Sequence, residues 1–344
     1  MSKEKRSIRH TAYDDAFRTL EAECDDALIQ FVNYVFHEDY DETAKVIRLR
    51  NEHHVDRNEK NSEVRITDSH FSISCHGKTK KYHMECESAG YDGSLLVRLF
   101  QYAVQIAIDE NEHGHDKITL DIPYTGLLVL RDKGAPSEKV TLEVRTPGGS
   151  VSYFAPVICE ANYSIDDMFE KKLFFLLPFF AFNIEDQMDV FESDDNELGK
   201  FVNIYCDIIE RLRQVKETAL SLRTKGVIIK QMENVTRRLN DKRGNVSRKV
   251  GDIMGGRVLK MDWLEKYDAA VANGRAKGRA EGDQARLITQ VCRKLRKGKA
   301  ISQIAEELEE DEIRIKVICD FAARFAPNYD EEQVINAILD PENT

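Results

Sequence analysis

Residues 63–87 read EVRITDSHFSISCHGKTKKYHMECE, and this stretch decides the fold that the sequence predicts. Apolar and polar residues alternate on both sides of a turn near Gly77, which is typical of a β-hairpin with one buried face. The predicted register pairs Phe71 with Met84 and Ile73 with Tyr82. The predicted buried face consists of Phe71, Ile73, Cys75, Tyr82, Met84 and Cys86.

The opposite face of this hairpin gathers three acidic side chains. The register that places Ser69 opposite Cys86 also places Asp68 opposite Glu87, with Glu85 diagonal to Asp68. Opposed carboxylates repel each other unless solvent or a cation screens them. Hard divalent ions such as Mg²⁺ or Mn²⁺ take oxygen ligands of this kind, so the face is a candidate metal site.

Two other interpretations of this face stay open. It also carries Ser72, Ser74, Lys81 and His83, which is the composition of an ordinary solvated surface. His70 and His83 share the face with the acids and suggest a His/Glu zinc site, although their spacing matches no standard zinc motif.

The flanking segments predict a mixed α/β domain whose sheet is packed by helices. Helical spacing marks Asp14–Phe36, Gly93–Asp109 and Ser164–Phe182, and helix again from about Asn196 onward. Strand patterns mark Lys45–His53, Gly126–Leu130, Lys139–Arg145 and Val151–Ile158.

Composition excludes several classes of protein. The seven cysteines are scattered without a CxxC pair, so neither a disulfide framework nor a structural zinc site is expected. No apolar run approaches the roughly 18 residues of a membrane span, and the basic N-terminus lacks a following apolar segment. We therefore expect a cytoplasmic protein without a membrane partner.

The net charge of −11 argues against a dedicated nucleic-acid coat, but two segments are basic. Arg223–Lys260 holds eleven basic and three acidic residues, and Gly274–Lys299 holds nine basic and two acidic ones. Such segments can bind a polyanion locally, or they are solvated helix faces.

The C-terminal residues Gly298–Phe325 predict two short helices, the size of a helix-turn-helix. The predicted apolar faces are Ile301, Ile304, Ala305 and Leu308 on the first helix, and Ile313, Val317, Ile318 and Phe321 on the second. The second helix carries acids beside its basic residues, so packing or oligomerisation is favoured over DNA reading.

Several motifs in this order resemble the Rpn-type, transposase-associated branch of the PD-(D/E)XK nuclease superfamily. They are DDAFR at residues 14–18, ITDSHF at 66–71, YHMECES at 82–88, VRLFQY at 97–102, PVI at 156–158, YSI at 163–165, FEKKL at 169–173 and LPF at 177–179. The resemblance covers residues 10–185, and a Gly-Arg-Ala repeat near residue 275 resembles the tails of such proteins.

The resemblance implies an αβββαβ core and Mg²⁺- or Mn²⁺-dependent cleavage of DNA, linked to recombination or mobile elements. Asp68 and Glu85 would be the metal-binding acids. Glu87 stands where the superfamily usually has a Lys, and members of this branch often replace that Lys, commonly with Gln. Glu87 would then bind metal or act as a general base, or the protein would be a decayed nuclease fold that binds DNA or regulates without cutting.

Arg98 and Tyr102 lie one helical turn apart and should share a face. Arg98 would contact a phosphate or an acidic partner, or the pair would brace the domain against an Asp or Glu. The predicted organisation is a nuclease-like domain at 10–185, a basic helical region at 190–270, a Gly/Arg-rich linker at 271–299 and a helical hairpin at 300–344. Expected partners are DNA and a second copy of the chain bound through the C-terminal helices.

Overall fold

The computed structural model describes residues 12–49, 52–56, 62–66, 69–88, 91, 93–110, 116–131, 138–254 and 282–339, with only the backbone for 52–56 and 62–66. The chain divides into two compact units, Met1–Leu264 and Glu265–Thr344. Asp68 and residues 271–281 of the predicted Gly/Arg-rich linker lie outside the described residues.

The first unit combines helices and strands. Its helices are α1 (Ala12–Glu23), α2 (Asp25–Phe36), α3 (Gly93–Glu110), α4 (Ile165–Glu170), α5 (Met188–Ser193), α6 (Asp195–Gln214), α7 (Leu222–Leu239) and α8 (Gly244–Met254). Its strands are β1 (Lys45–Arg48), β2 (Glu52–Asp56), β3 (Ser62–Ile66), β4 (Ser69–Cys75), β5 (Lys78–Glu87), β6 (Tyr124–Val129), β7 (Lys139–Thr146) and β8 (Gly149–Cys159).

Six of the strands form one mixed sheet in the order β1-β4-β5-β6-β8-β7, and β2 and β3 pair separately. β1, β4 and β5 are antiparallel neighbours, and α3 then carries the chain across to β6, which is parallel to β5. Leu95 and Leu99 of α3 pack on one face of the sheet, and Phe36 of α2 packs on Tyr82 at the other. The prediction of an α/β sheet flanked by helices is confirmed.

The register predicted for the central hairpin is wrong by two residues. Ser69 pairs with Met84, and Phe71 pairs with Tyr82. The reason is a two-residue turn in which His76 and Gly77 both have positive φ, 49° and 74°, the conformation of a tight type I′ hairpin. A shift of two keeps the parity of each strand, so the apolar side chains share one face as predicted, and that face is buried.

The first predicted helix, Asp14–Phe36, is two helices rather than one. Cys24 interrupts it with φ −122° and ψ 62°, and α2 restarts at Asp25 with two acidic residues in its first turn. Asp26 accepts hydrogen bonds from the backbone N–H of Ser221, at 2.7 Å, and from the hydroxyl of Thr224. The start of α2 is thereby fixed to the N-terminus of α7, a contact between residues far apart in sequence.

The third predicted helix, Ser164–Phe182, is also interrupted. Ser164 caps α4 through a reciprocal hydrogen-bond pair with Asp167, as its residue type predicts. After Lys172, which has φ 55°, the chain continues as a 3₁₀ helix over Phe174–Gln187 that contains Pro178. Pro178 lacks the N–H that an α-helix requires, and ten of the fourteen residues of this segment are buried.

The helical region predicted at 190–270 belongs, in its described part, to the first unit. The amide of Gln30 on α2 donates to the carbonyl of Ala219 just before α7, and Tyr205 on α6 bonds Thr236 on α7 at 2.7 Å. α6 and α7 thus add a helical layer to the domain that carries the sheet.

The second unit is a small helical bundle with its own core. Residues 282–295 form α9, followed by α10 (Ile301–Leu308), α11 (Glu312–Ala322) and α12 (Glu331–Leu339). The apolar face predicted for α11 is wrong in part, because Ile313 is 75% exposed and Val317 is 51% exposed. The core stripe is Ile315, Ile318, Cys319 and Ala322.

None of the helices in the described ranges is long and apolar enough to cross a lipid bilayer.

Candidate metal and phosphate site on the central sheet

The candidate site lies on the face of β5 that α3 covers. His83, Glu85 and Glu87 alternate along β5, so all three project toward α3. His83 and Glu85 are buried, with Glu85 only 5% exposed. The predicted polar face is therefore largely an interior layer rather than an open surface.

Glu85 is held by its neighbour on the same strand. Its Oε1 lies 3.0 Å from Nε2 of His83, and the His83 ring meets the ring of Tyr102 edge-on at a centroid distance of 6.2 Å. Thr125 of β6 lies beside His83 in the parallel register and is buried. A buried carboxylate needs such polar partners because burial removes its hydration.

Glu87 is paired with the helix above it. Nη2 of Arg98 donates to its Oε2 at 3.0 Å. The Arg98 side chain remains 45% exposed. Burial lowers the pKa of Arg98, but the hydrogen bond to Glu87 and the charges of Glu85 and Glu87 outweigh it and raise that pKa. Pairing with a Glu is one of the two roles that the sequence left open for Arg98.

The site residues expected from the sequence are therefore brought together in part. Glu85, Glu87, Arg98 and Tyr102 meet between β5 and α3. Asp68 precedes Ser69 in the chain but lies outside the described residues. The expected pairing of Asp68 with Glu87 rested on the register that the structure corrects.

Two further residues, which the sequence did not point to, belong to this layer. Thr125 and Tyr153 stand on β6 and β8, and the pKa of Tyr153 is raised by burial and, to a smaller degree, by the charge of Glu85. Alternation along β6 and β8 would have assigned them to a face, but the sequence does not reveal that β6 lies beside β5 and β8 beside β6.

Mg²⁺ or Mn²⁺ is the ion that the resemblance implies, and the described donors suit it in kind. Glu85 and Glu87 offer carboxylate oxygens, the ligands that hard divalent cations take. Among the described residues, neither Glu85 nor Glu87 belongs to a group of three donor atoms close enough together to hold one ion. His70, His83 and Glu85 do not form such a group either. A third carboxylate is needed to complete the set.

A groove of about 650 Å³ opens at the start of β6 and β8. Thr125 and Tyr153 line it, as do the exposed rings of Tyr124 and Phe154. Lys139 lies over the Phe154 ring at 5.2 Å, and Lys80 lies over the Tyr124 ring at the same distance. Glu85 and Glu87 do not line this groove. Tyr153 does line it, and the charge of Glu85 contributes to the raised pKa of Tyr153.

The basic segment at 223–260 is partly neutralised within its own unit. Arg223 pairs with Glu23, Arg243 with Asp189, and Arg238 with Asp241. Exposed pairs of this kind contribute little stability, but they reduce the charge available to a polyanion.

Comparison with known proteins adds no identification: the chain matches no protein-family profile, no curated protein and no solved structure significantly.

Proposed function

We propose that this protein is a Mg²⁺- or Mn²⁺-dependent DNA endonuclease of the PD-(D/E)XK type, associated with recombination or mobile elements. The observation that carries the proposal is the layer between β5 and α3, where Glu85 and Glu87 project from one strand beside a partly exposed Arg98. The elements of the main sheet and its helices support it: with the separate β2–β3 pair set aside, α2, β1, β4, β5, α3 and β6 follow the αβββαβ order that the resemblance implies.

Glu85, Glu87 and Asp68 would hold the ion in this proposal. A bound divalent cation lowers the pKa of a coordinated water and offsets charge on the phosphate. His83 keeps Glu85 oriented through the 3.0 Å contact. Arg98 has five N–H donors, and its exposed part can bind a phosphate oxygen while one donor holds Glu87.

Plasmid nicking tests this proposal. Wild-type protein with Mg²⁺ or Mn²⁺ is expected to nick supercoiled DNA, and the double variant Asp68→Ala/Glu85→Ala is expected to lose that activity. Glu143→Gln, which changes an exposed acid on β7, serves as the control and should nick like wild type. Equal nicking by wild type and the double variant, or no nicking by either, would refute the endonuclease.

A second candidate function is DNA binding without cleavage by a decayed nuclease fold. Two observations favour it: Glu87 replaces the usual Lys and is already paired with Arg98, and the groove presents the exposed rings of Tyr124 and Phe154, with Lys139 over the Phe154 ring. Exposed aromatic rings beside a basic side chain can stack on the bases of single strands. Salt-dependent DNA retention that survives the double mutation, without nicking, would select this candidate.

A further inference from the structure

A second group of potential metal ligands lies at the tip of the β4–β5 hairpin, away from Glu85 and Glu87. Asp41, Cys75 and His76 each offer a donor atom, and these three atoms all lie within 4.8 Å of one another. Oδ2 of Asp41 is 2.9 Å from Nε2 of His76, and Oδ1 of Asp41 is 3.6 Å from Sγ of Cys75. It is the only such three-residue group in the part of the chain that the structure describes.

The tight turn explains why two consecutive residues share this group. Side chains of neighbouring strand residues normally point to opposite faces. His76 has φ 49°, outside the strand conformation, and this departure lets its ring lie on the same side as the Cys75 thiol. The positive φ of both turn residues therefore shapes the group as well as the hairpin.

Asp41 reaches the hairpin from the loop between α2 and β1, and that loop is held in place. Asn33 on α2 bonds both the N–H and the carbonyl of Tyr40, at 2.9 and 2.8 Å. Thr43 donates to Oδ1 of Asp41 through its N–H and its hydroxyl, at 2.9 and 2.6 Å. Together with the hydrogen bond to His76, these contacts hold the Asp41 carboxylate at the hairpin tip.

The spacing of the three atoms suits tetrahedral zinc. Zn–S and Zn–O bonds of about 2.3 and 2.0 Å at a tetrahedral angle separate sulfur from oxygen by about 3.5 Å, and nitrogen from oxygen by about 3.3 Å. The observed distance of 3.6 Å between Sγ of Cys75 and Oδ1 of Asp41 already fits. Nε2 of His76 makes a hydrogen bond of 2.9 Å to the other carboxylate oxygen, Oδ2, and ligation would replace that hydrogen bond.

We propose that Asp41, Cys75 and His76 form a three-ligand site for Zn²⁺ at the hairpin tip. A thiolate, an imidazole and a carboxylate together select a borderline-soft ion rather than Mg²⁺. Three protein ligands leave a fourth position for water or another donor, as in open zinc sites. Asp41 and His76 are exposed, so an ion in solvent can reach them, and the Cys75 thiol proton leaves to solvent on binding.

Cobalt titration of the full-length protein tests the site, because Co²⁺ replaces Zn²⁺ and a Co²⁺–thiolate bond gives a charge-transfer absorption band. Wild type is expected to show this band at one equivalent of Co²⁺ and to lose it when Zn²⁺ is added. Cys75→Ser should abolish the band, and His76→Asn should weaken Co²⁺ binding at least about tenfold. Asn tolerates the left-handed conformation, so His76→Asn preserves the turn.

Two matched variants serve as controls. His37→Asn changes another exposed histidine with positive φ, 54°, and Cys206→Ser changes a partly exposed cysteine outside the group. Both should bind Co²⁺ like wild type. A wild-type protein without a thiolate band, or a band that persists in Cys75→Ser, would overturn the proposal. The oxygen-ligand site at Glu85 gives no such band, so this outcome is independent of the endonuclease test.

Discussion

Glu85 and Glu87 share one face of β5 but have different surroundings. Glu85 lies in the buried layer with His83, whereas Glu87 sits at the margin of that layer with Arg98. Two positions along a strand, about 7 Å, are enough to separate an interior carboxylate from one that a surface cation can reach.

This difference predicts different effects of two isosteric substitutions under the proposed endonuclease function. Glu85→Gln should reduce DNA nicking on the order of 100-fold or more, since it removes the buried charge that holds the cation. Glu87→Gln should reduce nicking less, by about tenfold, because Gln keeps an oxygen ligand and Arg98 already offsets the charge of Glu87. Initial nicking rates at saturating Mn²⁺ compare the two, and equal losses would contradict this assignment of roles.

Glu21 on α1 is a buried acid that predicts a pH dependence of stability. It is 4% exposed, and burial raises its pKa from 4.5 to about 7, although the charge of Arg48 acts in the opposite direction. Because the folded state holds the proton more tightly than the unfolded state, stability should fall as pH rises from about 4.5 to about 7 and then level off. The loss is of order 3 kcal/mol.

Glu21→Gln should remove this part of the pH dependence, since Gln does not titrate. Urea unfolding of wild type and variant at about pH 5 and about pH 8 measures it. If both proteins lose the same stability between the two pH values, Glu21 does not carry the effect.

At the scale of elements, the β4–β5 turn sets the register of the central sheet. Gly77 has φ 74°, and a Cβ added there would meet nothing within 4 Å. The cost of Gly77→Ala is therefore that of the left-handed backbone alone, about 1–2 kcal/mol.

Gly199→Ala is the matched control in a helix. Gly199 lies within α6, and an added Cβ also meets nothing there. The substitution should stabilise the protein by up to about 1 kcal/mol, because Ala has the higher helix propensity. Opposite signs in chemical denaturation would support the turn assignment, whereas two stabilising changes would contradict it.

At the scale of the whole molecule, the second unit has a core of its own, and a single substitution can test it. Ile315 of α11 is fully buried in that core, whereas Ile313, two residues earlier, is mostly exposed. Ile315→Ala should destabilise the second unit by about 2–5 kcal/mol. Ile313→Ala should change stability by about 0.5 kcal/mol or less.

Hydrogen exchange resolved by segment is the measurement for this pair. Ile315→Ala should reduce protection within residues 282–339 and leave β4 and β5 protected, because the two units have separate cores. Comparable loss of protection in both variants would show that the two stripes of α11 have been assigned wrongly.

The sequence predicts well what depends on local alternation and chemistry. Strand parity alone placed the apolar side chains of the hairpin on one buried face, and the Ser164 cap followed from residue type. That the polar face is also buried did not follow from parity. The sequence predicts poorly which side of a helix is buried when the helix has more than one apolar stripe. α11 carries two apolar stripes, and only packing against α9, α10 and α12 chooses the one through Ile315.

For the candidate site, the sequence by itself determined that Glu85 and Glu87 share a face and that Arg98 and Tyr102 share another, because strand and helix periods fix these relations. Only the tertiary structure decided that the two faces meet, that Glu85 is buried against His83, and that Asp41 joins Cys75 and His76. The physical reason is that these outcomes depend on which strands become neighbours, which helix covers them and how tightly a turn closes, and local periodicity fixes none of these.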